Sequence, residues 1–566
     1  MATDAALGRT PRAMAGRDAL MEQLVADGHR HLFGNPGTTE LGFLDALHHH
    51  RALDYVVALN EPVAVGMADG YARATGRPAF VQLHVAAGLG NALGMLYNAA
   101  QARTPLVVYA GQASTRVRAQ DPILGGDLVE MARPVCKWAV EATHADDLPR
   151  LLRRASKVAA ESPPGPVLVS IPMNALEDEG TVVVAPTTHT RRPGAAAPDD
   201  LAALAAVLLA AERPVILVGD GLLPAAGDPA VTALAEHLAA PILGAGWASE
   251  PVVDAGHPLW IGAFNNDPVP AAREAYSGAD VLLHLGAPAD PPAFDARPHE
   301  QRPARVLQVD LDLAELSKNA PADVAVAADP ARTAGALLAL LREAPARPAL
   351  AASREERRDA VVAEVAAEEA RRLVVSDDAR HQVPIAGPRL AEALAVALPD
   401  DAVVFDESLS IRPWVARRLA RRPGSYFRAR GSGIGVGMPG AVGVQLGLPD
   451  RPVVGLVADG SSLYSFPAVW TAAHHRVPVT WVIVNNRSYR TLKVNALAHL
   501  GSVEVAASIP GTELGDPPIA FDGLAAALGV ASFRADEPDA LEDVLEQALQ
   551  VPGPSLVEVV IDGSFP

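Results

Sequence analysis

Two short apolar runs end in residues able to hold a hard metal ion. The run VVGLVADGSS closes on Asp459, and VTWVIVNN closes on Asn485 and Asn486. A carboxylate at the mouth of a buried strand is costly to desolvate unless a helix end, a basic side chain or a metal meets it. Asp459 and Asn486 stand 27 positions apart (486 − 459). If both runs are strands of one βαβ unit, their ends share an edge of the sheet, where ligands of such sheets gather. One carboxylate, one amide oxygen and one or two backbone carbonyls, Ser488 among the candidates, make an oxygen shell suited to Mg²⁺. Gly460 and Ser461 let backbone N–H groups approach a diphosphate, aided by a helix N-terminus. That helix is predicted to start near Pro467, a residue suited to a first turn. A lone Asp-Gly is an ordinary turn, and the chain carries its own control. GDG recurs at 219–221, yet 27 positions beyond Asp220 stands Trp247, with no asparagine pair nearby. The signal is the whole strand–DG–helix–strand–NN block.

Two further groups stand where strands should end. Glu61 follows YVVALN, and His84 closes AFVQLHV before the glycine-rich AAGLGNALG. Imidazole exchanges protons near neutral pH and so serves acid–base chemistry. The spacing Gly88-x-Gly90-x-x-x-Gly94 departs from the GxGxxG of dinucleotide sites, and reads as a helix start packed close to a ligand. The triple histidine at 48–50 reads as a solvated helix end.

The elements that must position these groups alternate along the chain. Strands are predicted at 55–59, 79–85, 105–111, 166–172, 214–220, 280–286, 305–311, 402–406, 452–459 and 478–486, with Ala/Leu-rich helical segments between them. Such alternation implies an α/β chain of parallel, doubly wound sheets covered by helices. A Pro/Thr/Gly-rich stretch at 185–200 and a charged, then polar stretch at 343–387 divide it into three domains, about 12–185, 195–345 and 385–562. No short-period repeat is visible.

Composition excludes several function classes. The 566 residues are 49% hydrophobic and 20% charged, with a net charge of −19 that argues against nucleic acid or an anionic membrane as the main partner. No apolar run reaches the ~18 residues that span a bilayer. The first residues, MATDAALGRTPRAMAGRDAL, lack an unbroken apolar core, so a loose extension is expected there and no signal peptide. A single cysteine, Cys136, excludes an internal disulfide and suits a reducing cytoplasm.

The Asp459–Asn486 block resembles the signature of thiamin diphosphate enzymes, with Ala458 in place of that signature's first glycine. HLFGNPGTTELGFLDAL (31–47) and ALNEPVAVGMADGYARATGRPAFVQLHVAAGLGNALG (58–94) resemble the pyrimidine-binding domain of the thiamin diphosphate-dependent decarboxylase/carboligase family, in particular its benzoylformate decarboxylase group. FDESLS (405–410) and RGSGIGVGMPGAVG (430–443) match further elements of it. The resemblance implies thiamin diphosphate and Mg²⁺ as cofactors, with Glu61 on the pyrimidine N1′ and His84 as an acid–base group. His257, in DAGHPLWIG, is implied as a second catalytic histidine, and Thr38 falls where a serine contacts the substrate carboxylate. Ser410, Gly433, Gly460, Ser461 and Tyr489 are implied at the cofactor, and Ile434 as the aliphatic prop beneath its bend. Thr491 and Asn495 stand where the family lines its substrate pocket, with Phe427 as an aromatic wall. The implied reaction is non-oxidative decarboxylation of a 2-keto acid to an aldehyde. Its alternatives are carboligation, as in acetolactate synthase or benzaldehyde lyase, and a non-catalytic cofactor-binding homologue. A homodimer or homotetramer is implied, with each site between the pyrimidine domain of one subunit and the diphosphate domain of another. Nucleotide binding by the central domain stays open, although its GDGLL loop reads as a plain βα turn.

Overall fold

The structure, a computed structural model, describes residues 10–564 apart from Arg192, Trp247, 264–269, 289–303, Ala320 and 346–347. Most of the expected N-terminal extension therefore lies outside the described residues, as does the control position Trp247. Two compact units are present: Met1–Thr190 with Pro399–Ser410 and Ala429–Pro566, and Arg191–Leu398 with Ile411–Arg428.

The larger unit holds two parallel sheets. The first contains β1 (His31–Gly34), β2 (Asp54–Val57), β3 (Ala79–Leu83), β4 (Leu106–Gln112), β5 (Trp138–Glu141) and β6 (Val167–Pro172) in the order β2-β1-β3-β4-β6-β5. The second unit's sheet holds β7 (Pro214–Val218), β8 (Ile242–Gly244), β9 (Trp260–Ala263), β10 (Val281–Leu285), β11 (Arg305–Asp310) and β12 (Val324–Ala327), ordered β9-β8-β7-β10-β11-β12. In the larger unit's other sheet, β13 (Val403–Glu407), β14 (Val453–Ala458), β15 (Val479–Asn485), β16 (Ala531–Ala535) and β17 (Ser555–Val560) run β13-β14-β15-β17-β16. Helices cover both faces, so central strands are buried throughout; every residue of β15 is buried. This is the doubly wound architecture the alternation predicts. All ten apolar runs are strands. The short or half-exposed β1, β5, β9, β12 and β16 carry too weak an apolar pattern to be read locally.

In the larger unit, helix α1 (Glu61–Thr75), which follows β2, lies against a helix of the last sheet's half at backbone distance. Helices α2 (Val85–Gln101) and α3 (Gly437–Gly447) complete the set that matters here. A Cβ on Gly70 would stand 2.1 Å from the Gly440 carbonyl oxygen, and one on Gly443 would stand 1.9 Å from that of Met67. Only glycine permits α1 and α3 to approach so closely. Inside this contact Asp69 is neutralised, accepting from Thr104 Oγ1 at 2.5 Å and pairing with Arg73 at 3.4 Å.

The second unit's glycine motif closes on itself. Gly221 N–H donates to the Gly286 carbonyl at 2.9 Å, and Asp220 Oδ1 accepts from Ser249 N–H at 2.8 Å. A Cβ on Gly221 would lie 2.5 Å from Gly286 Cα. GDG at 219–221 is thus a packed βα turn.

Candidate active site

In the first sheet the chain order reverses between β1 and β3, and a doubly wound sheet opens its ligand crevice at such a point. The loop after β1 and the residue after β3 meet there. His84 is the N-cap residue of α2, and its Nδ1 lies 2.9 Å from Glu40 Oε2 and 3.4 Å from Thr39 Oγ1. Thr39 Oγ1 donates to the other Glu40 oxygen at 2.6 Å. Two glycines make the room. A Cβ on Gly37 would stand 2.0 Å from His84 Nδ1, and one on Gly111 would stand 1.7 Å from Glu40 Oε1. Gln82, on β3, pins the loop by donating to the Asn35 carbonyl at 2.9 Å.

Glu40 is fully buried, and burial raises its carboxyl above the ordinary 4.5, against the bonds from Thr39 and His84 that pull it down. As a carboxylate Glu40 only accepts, so Nδ1 is the donor in this pair. Thr38, the sequence candidate, is exposed on this loop, whereas Thr39 points inward. Glu40 and Thr39 were not singled out from the sequence. Their only signal was membership of NPGTTE.

Glu61 begins α1 beyond Asn60, whose side chain accepts from Val63 N–H at 3.0 Å to cap the helix. The carboxylate is buried and accepts from Asn91 Nδ2, on α2, at 3.2 Å. It lies over Gly88: a Cβ there would be 2.7 Å from Oε1. The glycines of AAGLGNALG thus lie within a helix, and the first makes the bed for Glu61.

Asp459 and Asn486 follow the ends of the paired strands β14 and β15. Asp459 starts a four-residue helical turn, α4 (Asp459–Ser462), and its Oδ1 accepts from Gly460 N–H at 2.8 Å. Its Oδ2 is buried with no hydrogen-bond partner. Burial pushes this carboxyl up from 3.8 to about 6, although the N–H groups of Gly460, Arg487 and Ser488 pull it back. A buried oxygen left without a partner is what a cation would repair. Asn486 Oδ1 accepts from Ser488 N–H at 3.0 Å and its Nδ2 donates to Ser410 Oγ at 3.2 Å, so Ser410 joins the same edge. Asn485 is spent internally on Glu558 and Arg487 N–H. A carboxylate, an amide oxygen and backbone carbonyls are hard oxygen donors, and such a set fits a cation of the Mg²⁺ kind.

Tyr489 lies across Gly460, where a Cβ would be 2.3 Å from its ring. Ser461 is buried beside Asp459. The predicted helix is α5 (Ala468–His475), with Pro467 as its N-cap residue. Gly433 exchanges two hydrogen bonds with Asn98 of α2, at 2.6 and 3.0 Å. Glu407, buried at the end of β13, accepts from the N–H groups of Gly435 and Gly437, each at 2.7 Å. Ile434, between these anchors, is half-buried and not a core residue.

His257 lies in the second unit, where Nδ1 accepts from Leu259 N–H at 3.2 Å and Nε2 stands 3.2 Å from Glu236 Oε1. Phe427 is a core side chain, 1% exposed.

Helix α6 (Arg490–Leu500), beyond the asparagine pair, is inside out. Lys493 is its one buried residue and pairs with Glu513, whereas Leu492, Val494 and Leu500 face outward. Thr491 and Asn495 are half-buried on it. Four of the nine non-glycine residues with positive φ among the described residues lie around this cluster. Val85, Leu409, Ser432 and Arg487 have φ of 41, 49, 66 and 56°, a region that costs non-glycine residues about 1–3 kcal/mol each and persists chiefly where function holds it.

A doubly wound α/β chain with a histidine–carboxylate pair at one switch point and a buried carboxylate oxygen at another strand edge has the make-up of a cofactor-binding α/β enzyme. The chain belongs to the thiamine pyrophosphate enzyme family: the models of its N-terminal binding, central and C-terminal binding domains match residues 14–131, 201–337 and 410–559. It is 34% identical to benzoylformate decarboxylase of Pseudomonas aeruginosa over 96% of this chain and 98% of that one. It is 28% identical to acetolactate synthase isozyme 3 large subunit of Escherichia coli, over 97% and 95%. The solved 4-hydroxybenzoylformate decarboxylase of Rhodococcus jostii superposes with a TM-score of 0.82 at 28% identity, over 97% of this chain and 100% of that one.

Proposed function

We propose that the chain decarboxylates a 2-keto acid to an aldehyde without oxidation, using thiamin diphosphate and Mg²⁺. The observation that carries the cofactor reading is Asp459 Oδ2, a buried carboxylate oxygen with no hydrogen-bond partner beside the Asn486–Ser488 loop. Asp459, Asn486 and a Ser488 oxygen hold the cation. Ser410, Gly460, Ser461 and Tyr489 border the diphosphate, and Gly433 and Ile434 the pyrimidine and the bend. When bound, thiamin diphosphate supplies the electron sink for the pair left as the carboxylate departs as CO₂.

This chain's residues do the rest. Glu61, with one oxygen on Asn91 and its other face over Gly88, would share a proton with the pyrimidine N1′ and so favour the imino tautomer. His84 moves a proton at Nε2, and Glu40 steadies the imidazolium as it forms. Thr38, exposed at the loop tip, offers its hydroxyl to the substrate carboxylate. His257 is proposed as a second catalytic histidine, as its place in DAGHPLWIG implies.

Half-buried Thr491 and Asn495 favour a keto acid more polar than benzoylformate. The outward Leu492, Val494 and Leu500 beside the site support assembly into a homodimer or homotetramer, with Glu61 and Asp459 of different copies serving one cofactor. The domain limits proposed are 12–185, 195–345 and 385–562. Among the described residues no helix is long and apolar enough to cross a membrane, and a cytoplasmic setting is proposed with it.

The test is a panel of 2-keto acids assayed for CO₂ and aldehyde with both cofactors, with and without a second aldehyde. Aldehyde release in step with CO₂ supports the reading. CO₂ accompanied by a coupled hydroxyketone as the main product replaces it with carboligation, as the acetolactate synthase likeness allows. Exchange of the cofactor C2–H no faster than in free solution would mark a non-catalytic homologue.

A further inference from the structure

Strand β2, which delivers the chain to Glu61, is an edge strand. Its inward groups pair with β1: Asp54 N–H donates to the Arg30 carbonyl at 2.7 Å and Ala58 N–H to that of Gly34 at 2.8 Å. By the alternation of a parallel ladder, Val57 turns its N–H and C=O to the free edge. Both are met by side chains from α5, the helix that follows the Asp459 turn. Thr471 Oγ1 donates to the Val57 carbonyl at 3.0 Å, and Val57 N–H donates to His475 Nε2 at 3.0 Å. Two side chains one helical turn apart thus imitate the missing neighbour strand.

Both residues are committed to this task. Thr471 is fully buried in mid-helix, where a threonine hydroxyl ordinarily returns to its own helix backbone. His475 accepts at Nε2 and must therefore be neutral. Burial, His474 and His31 hold its pKa below the ordinary 6.5, opposed by Asp54, which Arg30 flanks. His474 stacks on Trp470 with ring centroids 4.8 Å apart and meets His475 edge-on.

We propose that Thr471 and His475 are positioning residues: they latch the end of β2 to the helix of the metal-binding loop, and so set the placement of Glu61, four residues beyond Val57. The inference rests on the reading of Glu61 as the partner of the cofactor pyrimidine. If each cofactor is shared between two copies, the latch joins one copy's pyrimidine contact to the cation loop that serves the other site. It therefore ties the two sites of a dimer mechanically.

The test compares Thr471→Val, His475→Leu and His475→Gln, the last retaining an acceptor, with Glu61→Gln as benchmark. In the apoprotein, hydrogen exchange of the Val57 amide is expected to quicken in His475→Leu and to return towards the wild-type rate in His475→Gln. In the loaded enzyme at saturating cofactor, Thr471→Val and His475→Leu should lower kcat about tenfold, a fraction of the ~100-fold that 1 Å of misplacement costs. The near-ultraviolet circular dichroism of the bound cofactor's imino tautomer should weaken with it, while the substrate KM stays in place and His475→Gln recovers most of both. Wild-type kcat and dichroism in both latch variants, with only a lowered Tm, would overturn the latch while leaving Glu61's role intact. A Glu61→Gln variant with wild-type dichroism and turnover would overturn the reading of Glu61, and the latch with it.

Discussion

Replacing Gly88 by alanine tests the Glu61 cradle with one methyl group. Gly88 sits in the first turn of α2, so alanine suits its backbone, and only the space is wrong. The new Cβ would stand 2.7 Å from Glu61 Oε1 and 3.2 Å from its Cδ and Cγ. Ordinary contact begins near 3.4 Å, so the carboxylate must retreat by about 0.7 Å (3.4 − 2.7) or α2 must shift. Overpacking of this kind costs about 1–3 kcal/mol. A 1 Å error in a reacting geometry costs about 100-fold, so a kcat loss of about 10–100-fold is expected, together with a higher thiamin diphosphate requirement. The control is Gly335→Ala in the helix Pro330–Glu343, where the Cβ meets only Ala230 Cβ at 3.5 Å. It should gain up to about 1 kcal/mol of stability from helix propensity and leave turnover alone. Steady-state kinetics across a cofactor titration, with thermal melts of both variants, measures each term. Wild-type kcat and cofactor dependence in Gly88→Ala would refute the placement of Glu61.

Asp459→Asn, which keeps an acceptor for Gly460 N–H and removes the buried charge, should melt at a higher temperature than wild type without cofactors; it should also lose most of the rise in Tm that Mg²⁺ and thiamin diphosphate give the wild type, and a retained rise would refute the metal assignment. Glu40→Gln preserves the hydrogen-bond shape but removes the charge, so kcat should fall about 10–100-fold as the imidazolium loses its counter-charge. Its stability has a definite sign. Because burial raises Glu40 above 4.5, the folded chain binds more protons than the unfolded one, and the wild type loses stability as pH climbs from 4.5 through the raised value. The Tm advantage of Glu40→Gln should thus be absent below pH 4.5 and grow above it; a difference independent of pH would contradict the cause given. Sedimentation velocity should show a dimer or tetramer whose specific activity falls on dilution as it dissociates, and full activity in a monomer would exclude a shared site.

What was legible along the chain was local. Val/Ile/Leu runs of five to seven residues announce buried parallel strands wherever they stand, and β3, β4, β14 and β15 could be read directly. The Asp459–Asn486 block was legible for the same reason: a βαβ unit brings its two strand ends together whatever surrounds it. Short half-exposed strands such as β5 and β16 carry no such pattern. The exposure of Thr38 and the burial of Thr39 were also invisible, because neighbours in a turn point opposite ways and only the fold says which way is inward. His84 needed Glu40, 44 residues away, and Val57 needed His475, 418 residues away. Those partners are set by strand order and helix contact, which depend on which buried faces fit, and not on any single segment. Likewise Glu236 reaches His257 Nε2 from 21 residues away, a contact that only packing sets. Sequence thus determined the elements and the chemistry on offer, through short-range apolar patterning and residue type. Tertiary packing decided which groups meet, because a hydrogen bond forms only where the fold brings donor and acceptor within about 3 Å.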